Sequence, residues 1–191
     1  MQKKDLTMEI IDLQLKGLKL VKPNVFKDNR GFFLESFQQP LYQKMGIQET
    51  FLQDNHSFSQ KGCIRGMHFQ SFPGQAKLVR VAVGKIYDVA VDIRPESPTF
   101  GQWEGIVLDD KKHHQLFIPV GFAHGFCVLS QEAHVMYKVS TPYDPLYEKG
   151  FRWNDSQVNI QWPIEQPIVS ERDKQSPSFR ESMLQLTEIR K

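Results

Sequence analysis

Cysteine is nearly absent: Cys63 and Cys127 are the only two in 191 residues. That excludes a disulfide-stapled scaffold, and two free thiols in a reducing compartment are a better reading than one bridge. Charge of one sign is lacking too, since 24 Lys and Arg stand against 22 Asp and Glu. This balance removes the electrostatic case for a nucleic-acid partner. Long hydrophobic runs are also missing. The longest stretch free of Asp, Glu, Lys and Arg, His113–Gln131, holds three His, two Gln, two Gly and a Pro, so it does not read as a membrane span. Lys3, Lys4, Asp5, Glu9 and Asp12 leave no room for the apolar stretch of a signal peptide, so a cytoplasmic protein is expected. No Gly-x-Ser-x-Gly elbow and no Gly-rich phosphate loop occur, which argues against a serine hydrolase and against a hydride-transfer cofactor.

What is present is strand. Hydrophobic residues make up 40% and charged residues 24%, ordinary for one globular domain over residues 1–191. Residues 1–17 read as an N-terminal extension, Met1–Thr7 most clearly. Val79–Val83 alternates and is β-branched; Tyr87, Val89, Val91 and Ile93 share one face, with Asp88, Ala90 and Asp92 on the other. Gly84-Lys85 between them reads as a turn or bulge. Similar runs are Leu18–Phe26, Gly31–Phe37, Phe51–Ser57, Cys63–Phe69, Phe100–Leu108, Gln115–Ile118, Phe122–Leu129 and Ala133–Val139. Turn-forming clusters separate them, which predicts an antiparallel sandwich or barrel. Pro40–Lys44 reads as a helical turn or two. Phe179–Arg190 reads as a helix, with Phe179, Met183, Leu184, Leu186 and Ile189 forming its apolar face. The proline-spaced segment Trp153–Ser178 is expected to wrap the barrel, so residues 153–191 form a C-terminal wrap and helix.

Polar side chains interrupt the strand-like runs: Arg65, His68, Lys77, Asp88, His124 and Tyr137. On an outer face they would simply be solvated. Inside a barrel, each would cost several kcal/mol without a partner, so an inward set implies a wet or ligand-filled cavity. Arg65 and His68 lie on opposite faces of a regular strand unless a bulge intervenes, and Gly66 could supply one. Pro119-x-Gly121-x-x-His124 matches the second motif of cupins, whose His binds metal. The first motif, His-x-His followed by Glu, is replaced by Met67-His68-Phe69-Gln70. Two imidazoles fall short of the usual three protein ligands unless Asp88 or Asp92 joins them, so no metal is expected. His113-His114 reads as a solvated surface pair. Cys63 and Cys127, in apolar runs, read as inert thiols.

Proton abstraction without a cofactor remains. It needs a base of near-neutral pKa, an acid on the substrate's other face and a group to hold an enolate oxygen. His68, Tyr137 and Lys77 have the right chemistry. Each taken alone reads as readily as a satisfied strand histidine, a core tyrosine or a solvated lysine stem.

An ordered series of motifs lifts that ambiguity. It runs through Asp28-x-Arg30-Gly31-Phe32-Phe33-x-Glu35-Ser36, Gln53-Asp54-Asn55-His56-Ser57 and Arg65-Gly66-Met67-His68-Phe69-Gln70. It continues with Lys77-Leu78-Val79-Arg80, Asp88–Arg94, Ser97–Trp103, Ile118–Phe126 and Tyr137-Lys138. From about Leu18 to Pro177 the chain resembles the dTDP-4-dehydrorhamnose 3,5-epimerase family. The resemblance implies an all-β, antiparallel jelly-roll barrel of the cupin type with short peripheral helices and a C-terminal helix. It also implies a homodimer, no cofactor, and a dTDP-4-keto-6-deoxyhexose as substrate, epimerised at C3′ and C5′ on the way to dTDP-L-rhamnose for surface polysaccharide. His68 would be the base, Asp173 its partner, Tyr137 the acid and Lys77 the holder of the enolate oxygen. Arg65 would bind the diphosphate. Arg30, Glu35, Gln53, Asn55, His124, Glu148 and Arg172 would line the nucleotide-sugar site, and Tyr143 would stack on the thymine. Arg172 stands where the family usually has Lys, and Met67 where it usually has Leu. A mono-epimerase, a ketoisomerase or a non-catalytic binding module of the same fold are the alternatives.

Overall fold

The computed structural model describes residues 8–189. The Met1–Thr7 extension lies outside the described residues. Along the chain run β1 (Glu9–Asp12), β2 (Lys19–Lys22), β3 (Val25–Asp28), β4 (Gly31–Leu34), α1 (Gln39–Lys44), β5 (Gln53–Gln60), β6 (Cys63–Gln70) and β7 (Lys77–Val83). Then come β8 (Lys85–Asp92), β9 (Trp103–Asp109), β10 (Gln115–Ile118), β11 (Phe122–Val128), β12 (Glu132–Val139), β13 (Glu148–Gly150), β14 (Ile168–Val169), α2 (Glu171–Lys174) and α3 (Phe179–Ile189).

Two sheets face each other, in the orders β1-β2-β10-β7-β12-β5 and β13-β6-β11-β8-β9. This is the jelly-roll arrangement of an all-β fold. Pairing is antiparallel except for β14, which runs parallel to the start of β6. Gly84, at φ +87°, stands where the chain leaves β7 in one sheet for β8 in the other, so the expected turn is a corner between sheets. Val79, Val81, Leu116 and Val135 from the first sheet meet Ile86, Ala90, Phe122 and Phe126 from the second in the central core. The outer face of the second sheet is covered as well. Met67, Phe69, Val89 and Val91 pack against Phe151, just after β13, and against Val158, Ile160, Phe179 and Leu186 of the C-terminal wrap.

Several boundaries differ from the expectations for identifiable reasons. The run 18–26 breaks into β2 and β3 around Pro23, which has no N–H to donate to a ladder. β9 starts at Trp103 because residues 97–102 form turns, held by the Asp92 carboxylate accepting from the Ser97 and Thr99 hydroxyls, each at 2.6 Å. Within the stretch read as an N-terminal extension, Glu9–Asp12 pairs with β2 as an edge strand. His113 is buried, at φ +56° between β9 and β10, with the Phe32 ring tilted against its own at 4.4 Å; the surface-pair reading fails for it. Among the described residues, no helix is long and apolar enough to cross a membrane.

Candidate active site

The six polar residues that interrupt the strands all point inward. Arg65, His68, Lys77, His124 and Tyr137 line one cavity of about 650 Å³, partly open to solvent, and Asp88 lies buried directly behind His124. Gln53, Asn55, Tyr143, Glu148, Arg172 and Asp173 line the same cavity, as do Gln70, Gln75 and Ser170, which sequence reasoning did not single out.

Local structure explains how Arg65 and His68 share a wall. On β11, His124 faces His68 and Phe126 faces Arg65, so two steps on β11 match three on β6. The extra residue is a bulge at Gly66-Met67, as its glycine suggested. Gly66 adopts φ +129°, and a Cβ there would sit 2.6 Å from Gly125 Cα. Only glycine fits this crossing.

Asp173 reaches the site from α2. Ser170 caps that helix, its hydroxyl accepting from Asp173 N at 3.1 Å. The buried carboxylate of Asp173 then faces the bulge. Oδ1 pairs with His68 Nε2 at 2.8 Å, and Oδ2 accepts from Gly66 N at 3.3 Å. Burial pushes Asp173 up, but the hydrogen bonds from His68, Gly66 and Ser170 outweigh it and hold the carboxyl below the usual range. His68 Nε2 is thereby committed, leaving Nδ1 toward the cavity.

The opposite wall belongs to the other sheet. Tyr137 on β12 and Lys77 on β7 are cross-strand neighbours, with Tyr137 opposite Val79 and Val139 opposite Lys77. Burial raises the Tyr137 phenol, Arg65 opposes the rise and Glu148 adds to it, so the group stays protonated. Lys77 is pushed down to about 8 by burial, against the pull of Glu148 and Asp88. An imidazole backed by a carboxylate thus faces a protonated phenol and a buried ammonium across the cavity. A planar intermediate lying between the sheets could lose a proton on one face and gain one on the other.

At the mouth, Glu148 accepts from Tyr143 Oη at 2.9 Å and pairs with Arg172. Its hydrogen bond raises the Tyr143 phenol and the Arg172 guanidinium alike. Arg65 Nε donates to Ser59 Oγ at 2.8 Å and NH2 to Phe58 O at 3.1 Å, and no carboxylate pairs with it among the described residues.

Two expected residues are elsewhere. Arg30 and Glu35 do not line the cavity. Arg30 lies in the turn of the β3–β4 hairpin and Glu35 just after it; the hairpin is a separate two-stranded sheet that joins neither large one. Arg30 is spent on Asp28 in its own turn, at 2.6 Å. Cys63 and Cys127 are free thiols, Cys127 buried and pushed up to about 11 by burial and by Cys63. Among the described residues, no three His, Cys, Asp or Glu side chains gather as a ligand set; Asp92 is held by Arg94, Ser97 and Thr99.

Residues 12–181 match the family model of dTDP-4-dehydrorhamnose 3,5-epimerase. The protein of that name from Shigella flexneri is 47% identical over 174 residues, 90% of this chain and 96% of its own. The crystal structure of a dTDP-6-deoxy-D-glucose-3,5-epimerase from Legionella pneumophila, in complex with dTDP-4-keto-L-rhamnose, superimposes with a TM-score of 0.91 at 46% identity, covering 94% of this chain and 97% of that one. A 3′-monoepimerase from Streptomyces bikiniensis, in complex with dTDP-quinovose, is more distant, with a TM-score of 0.83 and 28% identity over 93% of this chain and 95% of that one. The chain belongs to the dTDP-4-dehydrorhamnose 3,5-epimerase family.

Proposed function

We propose that this protein epimerises dTDP-4-dehydro-6-deoxy-D-glucose at C3′ and C5′ to dTDP-4-dehydro-L-rhamnose. The carrying observation is the opposition of the His68–Asp173 pair to Tyr137 and Lys77 across one cavity, from two different sheets.

The 4-keto group acidifies the C–H bonds on both sides of it. His68 Nδ1 removes the proton at C3′, and the electron pair moves into a C3′–C4′ double bond with negative charge on O4′. The Lys77 ammonium holds that oxygen. Asp173 stabilises the imidazolium and fixes the ring, as the carboxylate of a triad does. Tyr137 then delivers its proton to C3′ from the opposite face, and O4′ returns to a ketone. Solvent restores the phenol and takes the proton from His68. The same steps at C5′ need only a turn of the sugar, because one oxyanion position serves both carbons. Arg65 and Arg172 suit a diphosphate, and the half-exposed Tyr143 ring suits stacking on thymine. Gln53, Asn55, His124 and Glu148 are assigned to nucleotide-sugar contacts. The chemistry asks for no cofactor.

A homodimer completes the reading. The β3–β4 hairpin exposes Phe26, Phe32 and Phe33 at 49%, 56% and 69%, too much aromatic surface for a two-stranded hairpin facing water. Docked on a second copy, it would carry Arg30 and Glu35 to that copy's cavity mouth. Mixing an Arg30→Ala variant with a His68→Asn variant should then restore part of the activity that each lacks alone. We assign the enzyme to the cytoplasm and its product to surface polysaccharide synthesis.

The test is incubation with dTDP-4-keto-6-deoxy-D-glucose in D₂O, followed by NMR. Deuterium at C3′ and C5′ with the L-lyxo product supports the reading. Deuterium at one carbon would make the protein a mono-epimerase, and binding without exchange would refute catalysis on this sugar.

A further inference from the structure

Asp88 is the one member of the inward polar set that the scheme gives no contact with the substrate, although its charge helps keep Lys77 protonated. It sits on β8 between Ile86 and Ala90, both of the central apolar core, and its ladder neighbours are Phe126 and Ile106. It is fully buried. Oδ1 meets His124 Nε2 at 2.6 Å, while Oδ2 has no hydrogen-bond partner among the described residues. A carboxylate held this way destabilises the fold relative to an apolar side chain at the same position. Strand β8 does not need it, since Ile86 and Ala90 show what this face of the strand otherwise carries.

His124 shows what the carboxylate does. It stands directly across from His68 in the β6–β11 register. Each ring turns Nε2 toward a buried carboxylate, Asp173 for His68 and Asp88 for His124. Each ring also lines the cavity. Two imidazoles therefore stand side by side on one wall, both with Nδ1 left for a ligand. A carboxylate can only accept, so the ring nitrogen that meets Asp88 is the one that carries the proton, Nε2 of His124.

The geometry points to Asp88 as a positioning residue that fixes His124 as the Nε2–H tautomer, so that Nδ1 is a hydrogen-bond acceptor aimed at a hydroxyl of the hexose. The inference rests on the proposed epimerase function and deepens it. His68 and His124 become two carboxylate-anchored imidazoles with divided labour, one taking protons from carbon and one orienting the sugar beside it. Asn at position 88 keeps the shape but can donate to Nε2, which moves the proton to Nδ1 and turns the acceptor into a donor.

The test combines ring ¹⁵N NMR of histidine-labelled protein with a double-mutant cycle over Asp88→Asn and His124→Gln. In the wild type, the His124 signals, assigned by their loss in His124→Gln, should show the proton on Nε2. In Asp88→Asn that signature should be lost. Asp88→Asn should lower kcat on the order of 10²-fold while the Kd for dTDP changes by less than about threefold. In the His124→Gln background it should cost less than about threefold more, because Asp88 acts through His124. A wild-type proton on Nδ1, wild-type kcat in Asp88→Asn, or additive losses in the cycle would each overturn the inference. The wild-type spectrum needs no variant at position 88, so it decides even if Asp88→Asn does not fold. Failure of the wild type to exchange C3′ or C5′ protons would sink the epimerase reading, whereas normal turnover with an additive cycle would sink only the role of Asp88.

Discussion

Lys77 offers the sharpest separation of function from stability. Its amine ordinarily titrates at 10.5 and is pushed down to about 8 by burial in the fold, with Glu148 and Asp88 holding it partway up. At about 1.4 kcal/mol per tenfold change in proton affinity, keeping the ammonium charged at pH 7 costs the fold about 3 kcal/mol. Between pH 8 and 10.5, the unfolded chain retains the proton that the folded chain has released. The Lys77 penalty is therefore full below that window, shrinks as the pH rises through it, and is gone above it. Lys77→Met keeps the length of the side chain and removes the charge. It should be more stable than the wild type by up to about 3 kcal/mol at pH 7, with the gap closing toward zero by about pH 10.5. The same change should slow C3′ and C5′ proton exchange by about 10²–10³-fold, because the developing oxyanion loses its cation. Urea unfolding of both proteins at several pH values isolates Lys77, since Tyr137 and Cys127 titrate in both and cancel. A variant no more stable than the wild type at pH 7, or a gap that does not change with pH, would refute the reasoning. So would undiminished exchange.

Three further changes test other parts of the site. Tyr137→Phe should leave deuterium exchange more intact than inversion, and equal losses in NMR wash-in and product formation would remove the acid role. Asp173→Asn should lower kcat by about 10²–10⁴-fold, with dTDP binding retained in calorimetry, because the amide no longer fixes the His68 proton; a wild-type kcat would mean that the pair is structural. Gly66→Ala must place a Cβ 2.6 Å from Gly125 Cα at φ +129°, so it should destabilise by about 2 kcal/mol or more in urea unfolding and displace His68. A stable, fully active Gly66→Ala protein would show that the bulge does not position the base.

Much of this molecule is legible from local pattern. Alternation along Val79–Val83 and Tyr87–Ile93 marks β7 and β8, and the 3.6-residue spacing of Phe179, Met183 and Leu186 marks α3. These signals are local because a strand or helix has to bury one face, and its own periodicity records which. The short elements were not legible. Strands β13 and β14 are three and two residues long, and helix α2 is four, so none repeats its period often enough to stand out from its surroundings. Helix α2 carries Arg172 and Asp173, and its only local sign is a Ser170-x-x-Asp173 cap.

By itself, the sequence determined which residues could do the chemistry, and its ordered motifs determined the family. It also marked Gly66 as the place where a strand could change face. Only the tertiary structure decided that Arg65, His68, Lys77, His124 and Tyr137 turn into one cavity, because inward and outward depend on which sheet covers which face. Only the fold could join Asp173 to His68 across 105 residues, or put Asp88 behind His124 across 36. It also took Arg30 and Glu35 out of the cavity, since a hairpin's place is set by its packing and not by its own pattern. Contacts between distant segments leave no periodic trace in either one, and this is why the opposed walls of the site emerge only when the two sheets are brought face to face.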